Sequence, residues 1–260
     1  LFGKIRGGLA VAVVITGALL AATTGIVGAT VVTMGIIALP TMLRHQYSPL
    51  LATGTIAASG TLGQIIPPSI VLILLGDVMG VPVGRLFVGA VIPGTILVTF
   101  FLLYILCLAW IKPDIAPALE NNEDGNLLRK VVFTLSPPLL LVICVLGSIF
   151  AGIASPTESA AVGALGAMIL SAVHKRLTMK NLKVAMQLTV RLTSMVFLIL
   201  IGAVAFGLVF RGMGGDTLIR EILTNIPGGV WGFMFVSMFL IFVLGFFLDF
   251  LQICFIVVPI

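Results

Sequence analysis

The sequence predicts an all-α protein that crosses a membrane several times. Two observations predict this class. Hydrophobic residues occupy 60% of the 260 positions and charged residues only 9%, and the mean hydropathy is +1.29. A soluble domain carries about 25% charged residues. Uncharged runs also reach or exceed the roughly 20 residues that a membrane span needs. They occupy residues 7–43, 86–111, 131–157 and 222–248.

One stretch, residues 54–76, is apolar enough for a bilayer but cannot form a continuous helix. Gly60 and Gly63 loosen its backbone, and Pro67 and Pro68 remove two amide donors and clash with the preceding turn. Broken backbone in lipid persists only where protein buries it or where it lines a wet cavity. A broken helix with polar groups at the break is typical of the sites of secondary transporters. The predicted site residues here are Ser59, Gly60, Gly63, Pro67 and Pro68.

The segment before it consists of two apolar arms, 7–22 and 26–42, around a small polar break. Each arm has about 16 residues, fewer than the ~20 of a full span. We therefore favour a re-entrant helical hairpin with its tip at residues 23–25. The alternative is two tight transmembrane helices joined by a Thr-Gly turn, and both arrangements return the chain to the same side.

The tip adds Thr23, Thr24 and Gly25 to the candidate site. Hydroxyl and freed carbonyl oxygens suit Na⁺, and helix N-termini favour an anionic substrate. Close packing of small residues is the alternative explanation, with the Ser and Thr hydroxyls bonded within their own helices.

The rest of the chain is predicted as one transmembrane domain over 1–260. It comprises the first hairpin plus broken helix (7–76), intervening transmembrane helices (88–210) and the start of a second hairpin (228–260). If each span crosses once, the segments 1–6, 43–48, 112–130 and 174–183 share one face. This face holds ten Lys and Arg against three opposite, so it is predicted to be cytoplasmic. The ten are Lys4, Arg6, Arg44, Lys112, Arg129, Lys130, Lys175, Arg176, Lys180 and Lys183.

A weak internal repeat links the two ends. Ile-Arg-Gly-Gly at 5–8 opens the first hairpin, and Ile-Pro-Gly-Gly at 226–229 opens the last apolar segment. Five predicted crossings separate them, so the copies enter the membrane from opposite faces, as in inverted-repeat secondary transporters. The second copy reaches its polar break near Asp249. This acid follows the apolar run 230–248, and an ionisable group inside the membrane is costly and usually functional.

Glu158 has two interpretations. Ser155, Pro156 and Glu158 fit a capping box with Ser155 as N-cap, Pro156 at N1 and Glu158 at N3. The other interpretation is an intramembrane acid with a proton or substrate role.

No hydrolytic, redox or metal constellation and no Walker A pattern is present, so we expect neither an enzyme nor ATP hydrolysis. We expect no cofactor, and no nucleic-acid partner, because the net charge of +5 is spread over short loops. The three cysteines lie in apolar runs and are expected to be free thiols. The chain begins without Met and stops inside an apolar run, so we expect a fragment of a longer protein, lacking both ends.

Four motifs resemble one known family, in order along the chain. They are GALLAATTGIVGATVVTMGIIALPTM (17–42), YSPLLATGTIAASGTLGQIIPPSIVLILLG (47–76), ASPTESAAVGALGA (154–167) and LGFFLD (244–249). They are similar to the large membrane subunit of tripartite ATP-independent periplasmic (TRAP) transporters. The resemblance implies a Na⁺-coupled importer of small organic acids in the bacterial inner membrane, working by an elevator movement. It also implies a periplasmic binding protein that delivers substrate and a small membrane subunit, separate or fused.

The family's ion and substrate positions fall at hairpin tips and broken helices. By resemblance these match Thr23, Thr24, Gly25, Gly60, Gly63, Pro67 and Pro68, with Asp249 in the second hairpin. Typical members have a Ser-rich first tip, and this chain lacks two of those hydroxyls. Backbone carbonyls and the two threonines would then have to serve. Two other functions remain open: an ion-coupled anion transporter that needs no binding protein, and a non-transporting subunit of a membrane complex.

Overall fold

The computed structural model describes residues 5–24, 27–118 and 127–259, and within these ranges the chain is helical and has no β-strand. The helices are α1 (Gly8–Thr24), α2 (Val27–Arg44), α3 (Pro49–Thr61), α4 (Ile70–Met79), α5 (Val83–Ile111), α6 (Leu127–Phe150), α7 (Pro156–Val173), α8 (Met179–Gly212), α9 (Gly215–Thr224), α10 (Gly229–Leu244) and α11 (Phe250–Gln252). Two 3-10 turns lie at Leu62–Gln64 and Pro113–Ile115, and a π-helical turn, Ile253–Val257, follows α11.

Four of these helices, α2, α5, α7 and α8, are long and apolar enough to cross a membrane by length and composition. Shorter apolar helices include α1, α4 and α10. The helices α5, α6, α7, α8 and α10 fall on the predicted apolar segments after the broken helix. The structure thus agrees with a multi-pass membrane protein. Whether the α1–α2 hairpin is re-entrant or spans the bilayer stays a prediction.

The chain divides into two compact units, Leu1–Ile73 with Pro82–His174, and Leu74–Val81 with Lys175–Ile260. In the first unit α1, α2 and α3 pack against one another, and α1 also contacts α5. The fully buried side chains of Val14, Met42 and Leu62 lie in this core. Helices α6 and α7 form a tight pair, in which Ser148 Oγ and Ser159 Oγ hydrogen-bond at 2.9 Å.

Three hydrogen bonds close one end of the first unit. Gly7 N donates to Ala116 O at 3.0 Å, Ser48 N donates to Ile115 O at 3.0 Å, and Leu9 N donates to the Tyr47 hydroxyl at 3.2 Å. Burial raises the pKa of Tyr47, so this phenol stays neutral at physiological pH. These bonds bring residues 7–9, 47–48 and 115–116 together, while the shared cytoplasmic face stays a prediction.

The second unit has a smaller core. Ala203 of α8 packs with Leu251 and Phe255, which follow the predicted second break. Helix α10 has no buried residue among those described.

Candidate functional site

The predicted interruption of the broken helix is present. Helix α3 ends at Thr61, a 3-10 turn covers Leu62–Gln64, residues 65–69 are not helical, and α4 begins at Ile70. The Pro67–Pro68 peptide bond is cis. Neither proline has an N–H group, so a helix continued through this point would lose two backbone hydrogen bonds.

Ser69 joins the two sides of the break. Its hydroxyl donates to the Gln64 carbonyl oxygen and accepts from Leu72 N at 3.4 Å, in the first turn of α4. Ser69 is buried, with 1% of its surface exposed. One side chain therefore satisfies a carbonyl at the end of one helical piece and an amide at the start of the next.

The prolines also free a second carbonyl. In a continuous helix, the N–H groups of residues 67 and 68 would donate to the carbonyls of Gly63 and Gln64. The Gln64 carbonyl accepts a hydrogen bond from the Ser69 hydroxyl instead. The Gly63 carbonyl accepts no hydrogen bond among the described residues. Gly63 is buried. Its carbonyl oxygen has therefore lost its helical donor, and carbonyl oxygens are ligands that hard cations prefer.

The two arms of the hairpin approach α3 closely just before the break. A Cβ on Gly17 of α1 would lie 2.6 Å from Ser59 Oγ, and a Cβ on Gly60 would overlap Val31 Cγ2 and lie 3.3 Å from Val31 N. Small residues let helix backbones come this close. The 3-10 turn after α3 contacts both α1 and α2. The structure thus brings Ser59 and Gly60 against Gly17 of α1 and Val31 of α2, with the 3-10 turn that contains Gly63 in contact with both arms.

Ser59 is fully buried, and its hydroxyl donates to Ile56 O at 3.0 Å. Thr61, which is exposed, donates to Ala58 O at 2.8 Å. This is the bonding that the packing explanation predicts. A hydroxyl that donates its proton still presents lone pairs, so Ser59 Oγ keeps its capacity to accept or to bind a cation.

The tip itself is only partly described. Thr23 and Thr24 are the last residues of α1, and Gly25 lies outside the described residues. Their roles stay predictions.

The other side of the break packs on protein. Pro67 is buried and, with Ile66, borders an open apolar cavity of about 270 Å³ shared with α5 and α6. Pro68 is half-buried. A Cβ on Gly94 of α5 would lie 3.6 Å from side-chain atoms of Ile65 and Ile66. The break therefore meets the requirement that irregular backbone at membrane depth be covered by protein.

The second break also occurs where the sequence predicts it. Helix α10 ends at Leu244, and Asp249 is the N-cap of the short helix α11, with φ −70° and ψ 155°. Its backbone N–H donates to Gln252 Oε1 at 3.2 Å, and its side chain is exposed. Asp249 belongs to the second unit.

Glu158 forms the predicted capping box. Its Oε2 accepts from Ser155 N at 2.8 Å and from Ser155 Oγ at 2.7 Å, and Glu158 N donates to Ser155 Oγ at 3.3 Å. The side chain is exposed. The cap interpretation is confirmed, and it accounts for an acid at the start of α7 because a carboxylate there also faces the positive end of the helix dipole.

Gly17 and Val31 contribute to the site but were not among the predicted residues. Nothing in the sequence marks Gly17, one small residue in an apolar arm, as a contact of Ser59 in particular. Ser69 lies beside the break in the sequence, but its bridging role depends on the path of residues 65–68.

The comparisons with known proteins agree with this architecture. The model of the family "Tripartite ATP-independent periplasmic transporter, DctM component" matches residues 1–260. A C4-dicarboxylate TRAP transporter large permease protein of Pseudomonas aeruginosa is 32% identical over 99% of this chain and 60% of its own length. The corresponding protein of Rhodobacter capsulatus is 30% identical over 99% of the chain and 61% of its length.

A third relative has a different named substrate. The ectoine TRAP transporter large permease protein TeaC of Halomonas elongata is 31% identical over 76% of this chain and 46% of its own length. The chain thus spans about three fifths or less of these relatives. They are named as permeases of transport systems and not as enzymes. On the match over its whole length, the chain belongs to the DctM component family of tripartite ATP-independent periplasmic transporters.

Proposed function

We propose that this protein imports a small organic acid across the bacterial inner membrane by Na⁺-coupled secondary transport, with substrate delivered by a periplasmic binding protein. The observation that carries the proposal is the contact between the first hairpin and the broken helix. Gly17 and Gly60 allow both arms to reach the backbone beside Leu62–Gln64, where carbonyl groups lose their helical donors. A break of this kind costs helical hydrogen bonds, and secondary transporters use such breaks to bind ions and substrate.

Na⁺ requires several oxygen ligands. The first break offers Ser59 Oγ and the carbonyl of Gly63, and the tip would add carbonyl and hydroxyl oxygens of Thr23, Thr24 and Gly25. Pro67 and Pro68 act indirectly, because they remove the competing N–H donors. An ion bound between the tip and the broken helix would order both, and the helix ends would then favour an anionic substrate.

The proposal includes a re-entrant hairpin. At 1.5 Å per residue the 17 residues of α1 are roughly 25 Å long, less than the ~30 Å of a bilayer core. The proposed orientation has the closed base of the hairpin on the cytoplasmic side, and the positive-inside rule supports this because Lys112 and Arg44 lie beside the base.

A second hairpin of inverted orientation, with Asp249 at its break, is part of the same proposal. Supporting it, α1 and α10 each begin after a glycine with positive φ, Gly7 at 77° and Gly228 at 101°. Both helices have similar lengths, and each precedes a predicted polar break. The elevator movement follows from the family resemblance.

The substrate class and partners come from the relatives. Two are named for C4-dicarboxylates and one for ectoine, so a small organic acid is the class we assign. A small membrane subunit, separate or fused, and a periplasmic binding protein complete the proposed system.

The experiment is uptake by the full-length protein, reconstituted in liposomes with its small subunit. An inward Na⁺ gradient should drive uptake of C4-dicarboxylate or ectoine when the binding protein is present, and an equal K⁺ gradient should not. Uptake that needs no binding protein would support the other transporter class instead. If no substrate moves and Na⁺ leaves the melting temperature unchanged, the break is packing alone and the proposal is wrong.

A further inference from the structure

A groove separate from the candidate ion site runs along the first unit between α3 and α5. Its volume is about 630 Å³, and no predicted ion-site residue lines it. Buried Leu51 and Ile105 form its floor, and exposed Leu50, Phe100 and Tyr104 line its edges. Over most of its length the groove therefore presents hydrocarbon to whatever occupies it.

One end of the groove is polar and basic. Ser48 and Lys112 line it there, and the bond from Ser48 N to Ile115 O holds the two segments together. Arg44 and His45 lie in the chain just before Ser48, and Asp114 is the acid of the adjoining 3-10 turn. The local charge is positive even with this acid counted.

The polar end also lies at the depth of lipid headgroups. Trp110, two residues before Lys112, is 80% exposed, and Trp with Lys or Arg at a helix end marks the membrane interface. From Lys112 back to Phe100, α5 extends about 18 Å into the apolar region. The groove thus has a cationic mouth at the surface and an apolar channel below it.

We propose that this groove binds an anionic phospholipid. One acyl chain lies along Leu51, Phe100 and Ile105, and the phosphate is held by the Lys112 ammonium and the Ser48 hydroxyl. The charge complementarity selects an anionic lipid over a zwitterionic one, since a Lys near the membrane surface attracts anionic lipid by an amount that corresponds to about fivefold in affinity.

The test uses native mass spectrometry of the full-length protein in detergent, with phosphatidylglycerol or phosphatidylcholine of the same acyl chains. Phosphatidylglycerol should be retained preferentially. Lys112→Gln should lower its retention about fivefold, whereas Arg85→Gln at the other end of the same helix should leave it unchanged. Equal retention of the two lipids by the unmodified protein, or equal losses in the two variants, would overturn the proposal.

A second pair of variants tests the apolar channel. Gly54 lines the groove, and no atom lies within 4 Å of a Cβ built on it, so Gly54→Leu should fill the channel without strain. It should lower retention of both lipids at least fivefold. Gly89→Leu is the matched control, because a Cβ there also meets open space but lies outside the groove. Retention by Gly54→Leu at the level of Gly89→Leu would show that the groove is not the site.

Discussion

Helices α1 and α10 begin in the same way but differ in how much of each helix is buried. Each follows a glycine with positive φ, they have 17 and 16 residues, and each precedes a predicted polar break. Yet Ala10 and Val14 of α1 are fully buried, whereas no described residue of α10 is, and Trp231 is 84% exposed.

Residue size explains the difference. Helix α1 carries small residues such as Ala10 and Gly17 on the side that meets α3, and these let the backbones approach. Helix α10 carries Trp231 and four phenylalanines, all of which are exposed. An apolar helix without a buried face needs lipid or further protein around it. Local sequence therefore determines where the helices form, whereas small residues determine which helices pack closely enough to build a site.

The largest effect should come from Gly60. Gly60→Leu forces a side chain into Val31, and overpacking of this kind costs about 1–3 kcal/mol. We expect Na⁺-driven uptake to fall at least tenfold and the melting temperature to drop. Gly35→Leu on α2 is the control, since a Cβ there meets no atom within 4 Å. Equal uptake by the two variants would show that the close contact between Gly60 and Val31 is not needed for transport.

The second largest effect should come from Ser69, whose hydroxyl bridges the break. Ser69→Ala leaves the half-buried Gln64 carbonyl without its donor, at a cost of about 1 kcal/mol or more. Thr61→Ala removes an exposed hydroxyl bonded within its own helix and should change the unfolding free energy by less than ~0.5 kcal/mol. Unfolding titrations in mixed micelles measure both. If Ser69→Ala is no worse than Thr61→Ala, the bridge does not hold the break.

Asp249 tests whether the second break has a function like the first. Asn is as good an N-cap as Asp, so Asp249→Asn should keep the unfolding free energy while removing the charge. We expect uptake to fall about tenfold in Asp249→Asn at unchanged stability. Full uptake in Asp249→Asn, with a loss only in Asp249→Ala, would make Asp249 a helix cap and nothing more.

The capping box at α7 predicts a smaller effect. Ser155→Ala removes the hydroxyl that accepts from Glu158 N, which should lower the unfolding free energy by about 1 kcal/mol. Glu158→Gln keeps acceptor groups for Ser155 and should retain most of the uptake. Loss of uptake in Glu158→Gln at normal stability would instead assign this acid a proton or substrate role.

Trp231 should show the smallest effect if lipid surrounds α10. Trp231→Ala should then change the unfolding free energy in bilayers by less than ~0.5 kcal/mol, as expected of a residue that packs on no protein. Phe87→Ala on α5 is the contrasting variant, because Phe87 is 1% exposed and its truncation should cost about 3–5 kcal/mol. A large loss in Trp231→Ala would show that further protein packs on α10.

Much of the fold was predictable from the sequence because the length and composition of one continuous stretch specify a membrane helix. Apolar length predicted α5 to α8, and the amide-free pair Pro67–Pro68 predicted the break. The Ser155–Glu158 box was predictable for the same reason, since its partners lie three residues apart.

The contacts of the site were not predictable, because they join residues far apart in the chain. Nothing local shows that Gly17 faces Ser59 or that Gly60 faces Val31. The bridge made by Ser69 depends on how the chain turns through residues 65–68.

The most direct test of the account is hydrogen–deuterium exchange of the full-length protein in lipid nanodiscs, in Na⁺ and in K⁺ at equal ionic strength. If Na⁺ binds where the hairpin meets the broken helix, amides in Gly60–Gln64 and around Thr24 should exchange several-fold more slowly in Na⁺, while those of α7 should not change. Identical exchange in the two salts across Gly60–Gln64 would contradict the account, because the break would then be complete without an ion.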